Sequence, residues 1–152
     1  MDLKLSIKRT DSNNPDFQLL IKRLDHELWV ELKEDQSTYD QYNKVPDLPT
    51  VVLIYDDAKP VACGCFKPYT PTTVEIKRMF VEKEYRGHGI SKTILDELEN
   101  WARELGFRSA ILETSIHFKA ARSLYANAGY GIIENYDQYA GLEESVCMKK
   151  NL

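Results

Sequence analysis

The segment TTVEIKRMFVEKEYRGHGISKTILDELENWARELGF, residues 72–107, constrains this chain more than any other. Thr72 to Glu82 reads as a strand. From Gly89 onward the period changes, and Ile90, Ile94, Leu95, Leu98, Trp101, Ala102 and Leu105 fall on one helical face. Gly106 stands where a C-terminal cap belongs. Between strand and helix lies YRGHGISKT, Tyr85 to Thr93, a short loop with two glycines and two basic residues. A strand that feeds an amphipathic helix through such a loop requires a helix packed on a sheet.

The remaining segments extend the same pattern. LKLSIKR (Leu3 to Arg9) alternates with period two and reads as a strand. Asn14 can cap a helix that opens at Pro15, with Phe17, Leu20, Ile21, Leu24, Leu28 and Leu32 on one stripe. EDQSTYDQYNKVPDLP is polar and punctuated by prolines, so it reads as loop with room for a short helix. TVVLIYDDAKPVACGCFKP gives two apolar runs around DDAKP, a hairpin. RSAILET is a strand, FKAARSLYANAGY a helix closed by Gly129, and GIIENY and SVCMKK two last strands. The order is strand, helix, three strands, helix, strand, helix, two strands. That is α/β with a mixed sheet, not the strict alternation of a doubly wound fold.

A chain of 152 residues with 43% apolar content suits one domain with a real core, spanning residues 1–152. The net charge of −4 argues against a nucleic-acid binder. MDLKLSIKRT lacks the apolar stretch of a signal peptide, and no run approaches a membrane span, so the cytoplasm is expected. Three cysteines make a poor disulfide framework. Cys63 and Cys65 flank Gly64, should share a strand face, and read as buried small side chains rather than zinc ligands. No metal site is expected from three scattered histidines, His26, His88 and His117.

The glycine loop has two readings. A helix N-terminus offers unpaired N–H groups and partial positive charge, and glycines let an anion approach them, with Arg86 and Lys92 adding charge at either end. The plain alternative is a turn that starts a helix. The Walker pattern fails because Ser91 stands where its second glycine belongs, and the dinucleotide pattern fails at Lys92.

Arg86-Gly87-His88-Gly89-Ile90-Ser91 resembles the Arg/Gln-x-x-Gly-x-Gly/Ala diphosphate loop of the GNAT superfamily of acetyl-CoA-dependent N-acyltransferases. Ser91 departs from that pattern at its last position. The resemblance covers the element order from Leu3 to Lys149. It includes the whole of residues 72–107 and the Ala-x-x-Leu-Tyr-x-x-x-Gly-Tyr run ending at Tyr130. It implies a GNAT fold: a mixed, mostly antiparallel sheet of about six to seven strands flanked by helices, with a splayed cofactor cleft. It further implies that the backbone of Met79, Phe80 and Val81 pairs with the pantetheine arm of acetyl-CoA. The loop from Arg86 through Gly87, His88, Gly89, Ile90, Ser91 and Lys92 would hold the diphosphate.

An alkyl amine is only about 0.04% neutral at pH 7, so such an enzyme must remove a proton before the nitrogen attacks the thioester. The resemblance makes Tyr125 the candidate acid toward the leaving sulfur and Glu75 the leading candidate base. Strand alternation places Glu75, Lys77 and Met79 on one face and Ile76, Arg78 and Phe80 on the other. Glu113 is a second acidic candidate, as substrate ligand or base, and His117 a candidate relay. The acceptor region would carry Glu34, Asp35, Tyr39, Asp40 and Tyr42, then Glu134, Tyr136, Asp137 and Tyr139. Of these, Tyr39 and Tyr136 are the foremost substrate contacts. Acidic and aromatic groups suit a cationic amine. A small-molecule amine is favoured over a protein amine, with a monomer or homodimer expected. The other readings are a CoA-binding regulator of the same fold and an interaction domain whose loop is only a turn.

Overall fold

Asn14 caps the first helix as its position predicts, its side-chain oxygen accepting the N–H of Asp16 at 2.8 Å. In the computed structural model, which describes residues 2–31 and 47–152, this helix is α1 (Pro15–Glu31). It follows β1 (Leu5–Thr10) and precedes β2 (Val51–Asp56), β3 (Lys59–Pro68) and β4 (Thr73–Val81). A 3-10 turn (Lys83–Tyr85) leads to α2 (Ile90–Glu104), β5 (Ser109–Ser115), α3 (Lys119–Asn127) and β6 (Gly131–Ile133). A second 3-10 turn (Asp137–Tyr139) precedes β7 (Ser145–Asn151). Among the described residues the sheet has seven strands, in the order β1-β2-β3-β4-β5-β7-β6. β4 and β5 pair in parallel, while every other neighbouring pair is antiparallel.

The two sheet faces bury different sets. α2 and α3 cover Ile54, Phe66, Ile76 and Leu112 with Ile94, Leu98 and Tyr125. α1 covers Cys63, Cys65 and Phe80 with Phe17, Leu20 and Leu24. Cys63 and Cys65 share the α1 face as period two requires. Both are fully buried, and burial pushes the Cys65 thiol up to about 12. Of the expected α1 stripe, Leu32 lies outside the described residues.

Gly64, between these cysteines, faces α2 at close quarters. A Cβ there would sit 2.6 Å from Met79 Sδ, 2.7 Å from Ile94 Cγ2 and 3.1 Å from Leu98 Cδ1. Gly64→Ala should therefore destabilise by about 1–3 kcal/mol, because Ile94 and Leu98 are themselves fully buried and have nowhere to go. Urea unfolding should show a lower midpoint at unchanged slope; an unmoved midpoint would mean α2 is free to shift.

The alternation expected along β4 fails at one place. Lys77 pairs with Cys65 and Phe80 with Cys63, so Arg78 and Met79 both stand opposite Gly64. This is a β-bulge, and Arg78 takes a left-handed backbone with φ 58°. One extra residue reverses the parity beyond it. Met79 therefore packs on the α2 side instead of sharing a face with Glu75 and Lys77. Phe80 crosses to the α1 side, and Arg78 also reaches α1, where it pairs with Asp25.

Candidate active site

β4 and β5 pair only over Thr73–Glu75 with Ser109–Ile111, and then part. Into the gap opens a cavity of about 690 Å³, within the usual range for small-molecule sites. Its floor is β4 from Glu75 to Val81, one wall is Glu113, Thr114 and Ser115 at the end of β5, and the other side is Leu24, Glu27 and Leu28 of α1. Past Glu75 the β4 edge toward β5 has no ladder partner among the described residues, so its amides and carbonyls are available to an extended ligand.

The glycine loop forms one end of this cavity through Arg86, Gly87, Gly89, Ile90 and Ser91. Gly87 and Gly89 have φ of 83° and 75°, values that disfavour any side chain, and a Cβ on either would project into open space. The first helical hydrogen bond runs from Thr93 N–H to Gly89 C=O at 3.2 Å. The amides of Ile90, Ser91 and Lys92 precede it and have no carbonyl to reach within α2. Positive backbone charge and an open front therefore coincide, which fits a diphosphate.

The loop side chains contribute less than their charges suggest. Arg86 Nη2 lies 2.7 Å from both carboxylate oxygens of Glu27, and its Nε donates to Val81 O at 2.9 Å. It fastens the loop to β4 and α1, with its charge already matched. Lys92 pairs with Asp96 at 2.9 Å on the exposed side of α2, and neither Lys92 nor His88 lines the cavity.

Tyr125 of α3 lines the cavity and is 6% exposed. Among the described residues no hydrogen bond holds its hydroxyl, and burial raises its pKa well above the ordinary phenol value. A phenol kept protonated and unengaged is suited to donate. Glu113 lines the same cavity. Burial raises its carboxyl to about 7, with a hydrogen bond from Ser145 Oγ at 2.8 Å acting the other way.

Glu75 also lines the cavity but is fully engaged. It accepts a 2.7 Å hydrogen bond from Tyr136 OH and lies 3.6 Å from Lys67 Nζ and 3.9 Å from Lys77 Nζ. Tyr136 thus stands behind Glu75, and the buried Tyr139 takes the place on the cavity wall. Burial lowers the pKa of Lys77. His117 sits at the rim, 3.3 Å from Glu144, and His26 is exposed on α1. Tyr39, with Glu34, Asp35, Asp40 and Tyr42, lies outside the described residues. Sequence reasoning passed over Arg78 and Asp25; two adjacent basic residues, Lys77 and Arg78, inside a largely buried strand were the available signal. Among the described residues no group of three or more His, Cys, Asp or Glu could hold a metal ion. No helix among them is long and apolar enough to cross a membrane.

The profile of the acetyltransferase (GNAT) family matches residues 14–130, most of the chain and all of this cleft's β4, loop and α2. The chain belongs to the GNAT family. Its fold, a seven-stranded mixed sheet flanked by helices, matches GNAT structures. A Klebsiella pneumoniae protein named for acyl-CoA N-acyl transfer superposes with a TM-score of 0.81 at 25% identity, covering 99% of each chain. The PaiA N-acetyltransferase of Thermoplasma acidophilum, solved with coenzyme A, gives 0.73 at 16% identity over 99% of this chain and 100% of that one, which speaks to fold alone. In sequence, "Probable N-acetyltransferase 14" of Xenopus tropicalis is 38% identical over 82 residues, 53% of this GNAT chain and 40% of that protein. The GNAT chain thus spans well under two thirds of that relative's length.

Proposed function

We propose that this GNAT protein moves an acetyl group from acetyl-CoA to the primary amine of a small molecule, by direct attack within a ternary complex. The observation that carries this reading is the convergence of Glu113 and Tyr125 on one cavity, with the unpaired β4 edge and the α2 amides at its end. The β4 backbone at Met79, Phe80 and Val81 would pair with the pantetheine amides. The amides from Gly87 to Ser91 would hold the diphosphate, while Arg86 fixes the loop's position. Acetyl-CoA supplies the thioester.

The bond changes balance with two side chains. Glu113 takes a proton from the ammonium, and the freed nitrogen attacks the thioester carbon. A C–N bond forms and the C–S bond breaks. The Tyr125 hydroxyl gives its proton to the departing sulfur and regains one from the amide nitrogen through solvent. A carboxyl near pH 7 in affinity is a better match to this task than an ordinary carboxylate. Glu75, the leading candidate by family resemblance, is held by Tyr136, Lys67 and Lys77; we assign it to orienting the acceptor. A small acceptor is favoured because the polar groups lie deep: Glu75 and the Lys77 side chain are each 3% exposed.

Calorimetric titration with acetyl-CoA, with ATP and NAD in parallel, tests the binding half. Selective micromolar binding followed by amine-dependent CoA release is the expected result. Binding without release for any amine would instead describe a CoA-binding regulator. Tyr125→Phe should lower kcat by about 10–100-fold while leaving acetyl-CoA affinity within about twofold. Equal turnover would remove the phenol from the mechanism.

A further inference from the structure

Arg78 has no part in the acyl transfer described above, yet it lines the same cavity, and its side chain is only 6% exposed. Its Nη1 is committed to Asp25 of α1. Its Nε is buried and has no hydrogen-bond partner among the described residues. A buried donor without a partner is costly, so it marks a place where a partner belongs. Nε–H and the neighbouring Nη2–H point the same way and form the planar fork that a guanidinium presents to a carboxylate.

The backbone has been bent to bring this about. Regular alternation would send the Arg78 side chain to the α2 side, into packed apolar residues. The bulge and a φ of 58° turn it to the α1 side of the cavity instead. Lys77 beside it is a second buried cation.

Glu113 lines the same cavity as Arg78, from the β5 side of the gap. A proton acceptor for an amine and a fork for a carboxylate thus border one cavity. Resting on the transferase reading, we infer that the acceptor is a free amino acid or a similarly compact amino carboxylic acid. Its amine faces Glu113, and its carboxylate docks on the Nε/Nη2 fork of Arg78. The carboxylate is a handle and takes no part in the bond changes.

The test uses matched acceptors in an assay of CoA thiol release: an amino acid, its carboxamide and its decarboxylated amine, for example phenylalanine, phenylalaninamide and phenethylamine. Similar sets would be built on leucine and methionine, with phosphoethanolamine as a further anionic amine. The expected kcat/KM for the best acid is at least about 100-fold above its amide and amine, because the latter leave the fork unpaired. Arg78→Gln should bring that ratio to within about threefold, and Arg78→Lys should keep less than about a tenth of it, since an ammonium keeps the charge but loses the fork. Asp25→Asn removes the structural partner alone and should keep the preference. It separates loss of recognition from loss of fold, and the wild-type ratio needs no variant at all. Amides, amines or phosphoethanolamine used as well as the acids would overturn the inference while leaving the transferase intact. So would an Arg78→Gln protein that still prefers acids. If acetyl-CoA binds but no amine is acetylated, the transferase reading itself has failed, and this inference with it.

Discussion

Glu113→Gln should lower turnover by roughly 10²–10⁴-fold, the usual worth of a positioned general base, while acetyl-CoA affinity stays within about threefold. The amide fills the same space and can still meet Ser145, but it cannot take a proton from the ammonium. In the wild type, kcat/KM should rise with pH through about 7, where the buried carboxyl loses its proton. That limb should vanish in Glu113→Gln. The same substitution has a second consequence of opposite sign. Burial raises this carboxyl from 4.5 to about 7, so the folded state holds the proton more tightly than the unfolded one. The stability it contributes is fully present below about pH 4.5 and is lost as pH rises to about 7. Glu113→Gln should therefore be more stable than wild type at pH 8, by on the order of 1–3 kcal/mol, and show no such gain at pH 4. Denaturant titrations at the two pH values measure this. A variant that is both less active and less stable at pH 8 would point to a packing role, and retained turnover would return the base to Glu75.

Gly89→Val should weaken acetyl-CoA binding by at least about 100-fold, read as loss of the calorimetric heat. A β-branched residue is a genuine outlier at φ 75°. The loop would relax toward negative φ, and the α2 amides would turn from the cavity. A branched side chain would also stand in the open space before them. Among the described residues nothing lies within 4 Å of that Cβ, so the folded state should be destabilised by only about 1–3 kcal/mol of backbone strain. Gly89→Ala should fall between the two. Affinity unchanged in Gly89→Val would leave the loop as a mere turn into α2.

Arg86 shows how a loop charge can acquire a partner from afar. The motif resemblance places it in the diphosphate loop, and Glu27, fifty-nine residues earlier in the chain, pairs with it. Only the packing of α1 beside β4 brings that carboxylate within reach.

Local patterning determined a good deal here by itself. Period-two runs, the 3.6-residue stripe after Gly89 and the cap at Asn14 are short-range effects, each set by neighbours within a turn or a strand. So are the positive-φ glycines, which only glycine adopts without strain. These sufficed for the element order and for the loop at the head of α2. The tertiary structure decided which polar groups meet and which remain unengaged. One extra residue opposite Gly64 reversed the β4 faces, moved Met79 and Phe80 to opposite layers and swung Arg78 into the cleft. No periodicity in VEIKRMFV encodes that shift, since bulge and regular strand share one sequence pattern until a partner strand fixes the register. The contrast between Glu75 and Glu113 has the same origin. Both are strand glutamates at the cleft, and what separates them is long-range company: Tyr136, Lys67 and Lys77 around one, burial with Ser145 around the other.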